Sequence, residues 1–426
     1  MDISIFFVLW IVLLLLGMPI FFSLGSVSLI YLMSHHEVLL SVPQRLTMTA
    51  DSFPLLAAPF FILMGNLMNT AGVTKRIFNF ANCLVGHIRG GLGHANIFAS
   101  MIFAGMSGAA VADAAGLGTI EIEAMKEGGY DVDFAAAITA ASSTIGPIIP
   151  PSLPMIIYGV LANTSVGGLF IAGIIPGFLM ASALMIYVYF YTRNKNYPRR
   201  AFPRFSEFVM VFKEAFLSLL TPVILLGGIF SGIFTPTEAA AVAAFYALLL
   251  GFFYREIRIT DLPDIILQTV ETNAVIMALV MTASLFGWVI TRAQVPQMMG
   301  EFLVGISQEP MVILLILNAL LLFVGCFMEA IAAQMILIPI LLPVVLQLGI
   351  SPIHFGLIMI LNLMIGTLTP PIGVVLYVTA RVADITFERV TRATLPFLIP
   401  LLAVLLLITL IPQLTLFLPT LILGIQ

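Results

Sequence analysis

Charged side chains are scarce in this sequence. It has 17 Lys or Arg and 21 Asp or Glu in 426 residues, 9% in all, against 61% hydrophobic. A soluble domain has no means of covering that much apolar surface, whereas a lipid-facing one has no need to. With a small net charge of −4, no nucleic-acid partner is expected. Cysteine is nearly absent, and Cys83 and Cys326 stand alone, with neither a disulfide framework nor a metal cluster around them. No P-loop and no dinucleotide fingerprint occurs, so the chain carries no ATPase of its own. The N-terminus lacks a basic n-region, and the apolar run after it reads as a retained membrane helix.

What is present is a pair of interruptions. Gly366-Thr367-Leu368-Thr369-Pro370-Pro371-Ile372-Gly373 lies inside an otherwise apolar run. Pro370 and Pro371 lack amide hydrogens and clash with a continuing helix, and the flanking glycines tolerate the dihedrals of a break. The same device occurs 220 residues earlier, where Gly146 and the pair Pro150–Pro151 match Gly366 and Pro370–Pro371. At that offset the alignment runs ungapped back to Gly105 against Gly325. Interrupted apolar segments at matching positions in two halves point to the binding site of a repeat-built secondary transporter. Broken backbone at membrane depth survives only inside protein or beside a wet cavity.

The rest of the chain fits an all-α polytopic membrane protein. A first repeat spans 1–192, with a re-entrant hairpin near 93–126 and a broken helix near 134–162. Residues 193–213 hold six basic residues against one acid, so they are expected as a cytoplasmic connecting loop. The second repeat spans 214–426, with a hairpin near 311–348 and a broken helix near 353–384. Residues 3–16 and 20–33 form either two short spans or one kinked helix. Thr235-Pro236-Thr237-Glu238 is a helix-start signature. Residues 256–272 are expected as a helix lying along the interface, followed by a span over 274–290.

The paired Gly…Pro-Pro breaks, the Pro-Thr-Glu-Ala-Ala-Ala run at 236–241 and Gly-Trp-Val-Ile-Thr at 287–291 resemble one subunit type. It is the large membrane subunit of a tripartite ATP-independent periplasmic (TRAP) transporter. The resemblance covers nearly the whole chain. It implies an ion-transporter-type fold with inverted repeats and an elevator mechanism. It also implies sodium-driven import, across the bacterial inner membrane, of an organic acid such as sialic acid or a C4-dicarboxylate. The implied partners are a periplasmic binding protein and a small membrane subunit (Q-type) on another polypeptide, with membrane lipid around them. No cofactor is implied beyond Na⁺ as the coupling ion.

Each break frees carbonyl oxygens, hard ligands suited to Na⁺, while helix N-termini facing the same space favour a carboxylate. The expected sodium ligands are Gly325, Gly366, Thr369 and Ile372, and, 220 residues earlier, Gly105, Gly146, Ile149 and Ser152. Glycine and proline also serve packing in membrane helices, but packing alone does not explain two matched breaks. Glu329, the lone charge between Met311 and Gln347, and Asp113 are candidate polar supports. Ser107, Asn66, Asn362 and Arg292 are candidate substrate contacts. A standalone carboxylate or ion transporter of the same fold class remains an alternative. An intramembrane enzyme using Asp113, Glu121 and Glu123 is a remote one, since Glu121 and Glu123 face different sides of a helix.

Overall fold

The computed structural model describes residues 2–37, 39–195 and 197–424. The described elements are all helical, and seven helices are long and apolar enough to cross a membrane. Helices α1 (Ile3–Leu15) and α2 (Ile20–Ser34) are separate, because Gly17 at φ +82° ends one and Pro19 opens the other. Then come α3 (Ser41–Ala50), α4 (Ala57–Thr70) and amphipathic α5 (Val73–Val85).

The first hairpin consists of α6 (Gly91–Ser107), α7 (Ala110–Ala115) and α8 (Leu117–Glu127), and it turns at Gly108, φ +61°. Its two bases meet where the Leu92 amide donates to the Tyr130 hydroxyl at 3.4 Å. The arms therefore enter and leave by one face. From that face α9 (Val132–Ser143) runs to the first break, and α10 (Leu153–Leu161) continues beyond it. Helix α11 (Val166–Thr192) returns, its first turn capped by Ser165, which accepts from the Gly168 amide at 3.1 Å.

The connection between halves is shorter than expected. Residues 205–213 already belong to α12 (Phe205–Phe230), because no glycine or proline interrupts the run from Phe205 to Thr221. Helix α13 (Pro236–Phe253) opens on the expected capping box: the Thr235 amide donates to Glu238 Oε2 at 2.8 Å and Thr235 Oγ1 accepts the Glu238 amide at 3.3 Å.

A second expectation also fails. Residues 262–272 do not form a separate interfacial helix but open α14 (Leu262–Arg292), a single helix of 31 residues. No glycine or proline lies between Pro263 and Gly287, so nothing ends the helix at Asn273. Polar Thr272 stays compatible with it by donating to the Gln268 carbonyl at 2.9 Å.

Helix α15 (Val295–Ile306) then bends by 116° into α16 (Pro310–Gly325), the first arm of the second hairpin, and α17 (Ala330–Gln347) is the other arm. Helix α18 (Pro352–Gly366) leads to the second break and α19 (Val374–Ala383) leads out, before α20 (Phe387–Leu410) and α21 (Gln413–Leu423). Two contacts fix the relative direction of the halves. The Tyr158 hydroxyl near the end of α10 donates to the Pro352 carbonyl at the start of α18 (2.7 Å). Lys126 at the base of the first hairpin donates to the Ala383 carbonyl at the end of α19 (2.7 Å). So the two broken helices run antiparallel, and the hairpins enter from opposite faces. The positive-inside rule would set the basic connection on the cytoplasmic side, which would open the first hairpin to the cytoplasm and the second to the periplasm.

The connection is strapped to the base of α9. Lys195 Nζ lies 2.5 Å from Asp131 Oδ2, the Tyr197 hydroxyl donates to the same oxygen at 2.7 Å, and Tyr197 stacks on Tyr130 at 4.1 Å. The Lys195 hydrogen bond, joined by that of Tyr197, holds the Asp131 carboxyl below its ordinary value, and Asp131 in turn holds Lys195 above its own. A lowered carboxyl pKa contributes stability above its unfolded value and loses it as pH falls through the folded one; a raised lysine contributes until strong alkali. The strap is therefore closed at neutral pH and opens in acid. Asp131→Asn should open it at neutral pH, raising the rate of tryptic cleavage at residues 193–200 in inside-out vesicles several-fold; unchanged cleavage would show that the strap does not hold the connection.

Candidate ion and substrate site

Each hairpin tip abuts a break. In the second half, the amides of Ile372 and Gly373 both point to the Cys326 carbonyl, at 3.3 and 3.4 Å. Gly325 and Gly366 touch backbone to backbone: a Cβ on Gly366 would lie 2.5 Å from Gly325 Cα. No side chain fits there, which accounts for both glycines. The Gly366 carbonyl takes the Thr369 amide at 2.9 Å, so it is only partly free, while no described backbone amide reaches the carbonyls of Gly325, Thr369 or Ile372. Thr369 Oγ1 donates its hydrogen to the Ile365 carbonyl at 3.0 Å, which leaves its lone pairs for a cation.

The first half repeats this plan with different chemistry. A Cβ on Gly108 would lie 2.7 Å from the Pro151 carbonyl, and one on Gly105 would lie 3.7 Å from that of Pro150. Both proline pairs, Pro150–Pro151 and Pro370–Pro371, are joined by cis peptide bonds. The amide of Gly146 turns back on the Ser143 carbonyl, and no described backbone amide reaches the carbonyls of Gly146 or Ile149. Ser152 is spent locally: its hydroxyl donates to the Pro147 carbonyl and accepts the Met155 amide, capping α10. Asp113 faces this break directly, since a Cβ on Gly146 would lie 2.4 Å from its Oδ2. The carboxylate approaches only because residue 146 has no side chain.

Glu329 has a defined task. Its Oε2 accepts the amides of Ile331 and Ala332 at 2.8 and 3.2 Å, so it caps α17 at the hairpin tip. Glu121 is the acid that spacing undervalues. It is 1% exposed and meets the Ser100 hydroxyl, whereas Glu123, on another side of the helix, is exposed. Ser100 continues a buried chain through Ser142 and Asn96 to Thr139, with links of 3.1, 2.7 and 2.7 Å.

The substrate candidates do not converge. Asn362 Nδ2 donates to Asn318 Oδ1 at 2.8 Å, clamping α18 to α16, and Asn318 donates on to Thr409. Ser142, the position 220 residues earlier, makes the corresponding clamp of α9 to α6 through Asn96. Asn66 donates to Thr269 at 3.0 Å between α4 and α14. Arg292 is ion-paired with Glu37 at 2.5 Å. The side chain of Ser107 lies outside the described residues, although its backbone ends α6. A buried amide takes whatever partner packing offers, and a sequence cannot reveal that partner.

The comparisons with known proteins agree with this architecture. Residues 7–414 match the family described as "Tripartite ATP-independent periplasmic transporter, DctM component". The chain belongs to that family. It is 52% identical to the sialic acid TRAP transporter large permease protein SiaM of Vibrio cholerae, over 97% of this chain and 98% of that protein. It is 45% identical to the sialic acid TRAP transporter permease protein SiaT of Haemophilus influenzae, over 99% of this chain and 68% of that one. Among solved structures it resembles the YdaH transporter of Alcanivorax borkumensis, with a TM-score of 0.66 at 15% identity over 87% of each chain, which is a likeness of fold. The chain is thus a large permease, a transporter component of the inner membrane and not an enzyme.

In this permease the two breaks differ in access. Ser152 is 0% exposed, whereas Ile372 at the matching position is 41% exposed and Pro370 and Pro371 are open beside it. Open broken backbone at this depth requires a wet cavity or a covering protein.

Two substitutions separate packing from ligation. Gly366→Ala meets backbone and should cost about 1–3 kcal/mol of stability. Gly146→Ala meets a carboxylate that can move, so it should displace Asp113 while leaving the melting temperature closer to wild type. Equal melting temperatures for the two variants would refute this account of the glycines.

Proposed function

We propose that this permease imports an organic acid by sodium symport, with sialic acid the foremost candidate. A periplasmic binding protein delivers the acid, and a small membrane subunit completes the assembly. The observation that carries the reading is the double contact of hairpin tip and break, each with carbonyls that no described amide satisfies. An unpaired carbonyl in a low-dielectric setting is costly, and a cation removes that cost. Na⁺ suits such neutral oxygen ligands, with Gly325, Gly366, Thr369 and Ile372 in one half. In the other half, Gly146 and Ile149 offer carbonyls and Asp113 offers charge.

Coupling follows from shared structure. A cation bound between tip and break orders both, and the ordered break presents the N-terminus of α19 to a carboxylate. By linkage the acid then tightens sodium binding by the same factor. The exposed side of the second break is the place where the acid would meet this arrangement. Displacement of hairpins and broken helices together, past α12 and α14, would carry the site across the membrane as an elevator. The 52% identity to a sialic acid permease supports that substrate ahead of C4-dicarboxylates.

The test is uptake by proteoliposomes holding this chain and the small subunit, with receptor loaded by N-acetylneuraminate or succinate. Import should need both partners and Na⁺, and Thr369→Ala should raise the half-saturating Na⁺ concentration several-fold while the protein remains folded. Equal import in choline buffer removes sodium coupling, and vigorous uptake without receptor or small subunit favours a standalone transporter.

A further inference from the structure

A pocket of about 380 Å³ lies along the seam between α14 and α17, bordered on its third side by Arg45 of α3 and Leu161 of α10, and the orientation that the basic connection implies would turn it to the periplasm. Its lining includes Arg45, Leu161, Ser284, Trp288, Thr291 and Pro339, and no acid. The Arg45 guanidinium stands 4.5 Å from the centroid of the Trp288 ring. None of the ion pairs among the described residues includes Arg45. Arg292, one turn further along α14, also approaches Trp288, at 5.8 Å, but Glu37 neutralises it. An exposed guanidinium outside every described ion pair thus stands over an aromatic face. Two hydroxyls lie on neighbouring turns of α14: that of Ser284 accepts from Thr49 at 2.9 Å and keeps its own hydrogen, and that of Thr291 donates to the Gly287 carbonyl at 2.8 Å and keeps its lone pairs.

We propose that this is a periplasmic receiving seat for the transported acid, separate from the hairpin–break site. The proposal rests on reading the chain as an importer of an organic acid. A guanidinium matches a carboxylate by two parallel hydrogen bonds, and the cation–π contact with Trp288 limits where that fork can stand. The ring presents an apolar surface to the carbon skeleton, and the hydroxyls suit a polyhydroxylated one. The place is apt: the seat borders α17, the outgoing arm of the hairpin that opens to the periplasm, so an acid held there lies beside the path to the second break.

The chain has two tryptophans, so Trp10→Phe leaves Trp288 as the sole reporter. In detergent, N-acetylneuraminate should change its fluorescence saturably, while sodium chloride at equal ionic strength should not. Arg45→Gln in the same background should weaken the titration about tenfold or more, as expected for loss of a charge-assisted pair. Arg45→Lys, which keeps the charge and loses the fork, should fall between. If Trp288 does not respond, or if Arg45→Gln titrates like its parent, the seat is wrong. A lowered melting temperature in Arg45→Gln with an unchanged titration would make Arg45 a tether for α3 and overturn the proposal too. Failure of every acid in the uptake assay, with an intact Trp288 titration, would instead remove the importer reading and leave an anion site.

Discussion

The structure depends on satisfying backbone that cannot be helical. A helix interrupted at membrane depth loses several amide–carbonyl pairs at once, and each must be replaced locally. Here the replacement is the tip of a hairpin. Cys326 gives its carbonyl to two amides of the second break, and the glycine contact between Gly325 and Gly366 lets the two backbones come close enough for it. The same requirement explains why the hairpins stop midway: their tips are needed where the helices part, not at the far surface. Carbonyls left over after this exchange are what the protein can offer to an ion.

How much of this was legible in the sequence follows from what kind of signal each feature leaves. Gly366, Pro370 and Pro371 act through their own covalent geometry, so the breaks, their spacing and the hairpins before them were readable. The Thr235–Glu238 cap is equally local and was read correctly. Partners remote in sequence were not readable. Asn362 looks like a cavity residue until Asn318 is found against it, and Arg292 looks free until Glu37 is. The paired offsets of Ser142 and Asn362 were the one available hint that both belong to clamps. Asp113 was noticed, but its aim at Gly146 is a tertiary fact. Polarity misled at 262–272, where Asp264 and Glu271 suggested an interfacial helix although the backbone had no reason to stop.

The two halves share a plan but have diverged in charge. The first break is closed over, with Asp113 at its edge and Glu121 deeper in the hairpin. The second has no carboxylate at the corresponding place; its acid, Glu329, is spent on capping α17. In the first half a carboxyl group, that of Asp113, stands beside the break. In the second, neutral oxygens alone would do the work, and the exposed side is left open to a different molecule. A negative substrate would therefore find less repulsion at the second break than at the first.

The halves also interleave. Helix α10, which follows the first break, packs on α17 and α18, and α19, which follows the second, packs on α7, α8 and α9. Each broken helix thus finishes between the halves: α10 packs on α4 and α11 of its own half as well, and α19 on α20, so each outgoing segment is covered from both sides. Either half alone would leave the face of its outgoing helix that the other half now covers without a partner. In shape the arrangement is that of two antiparallel units joined in one chain, each lending its outgoing helix to the other.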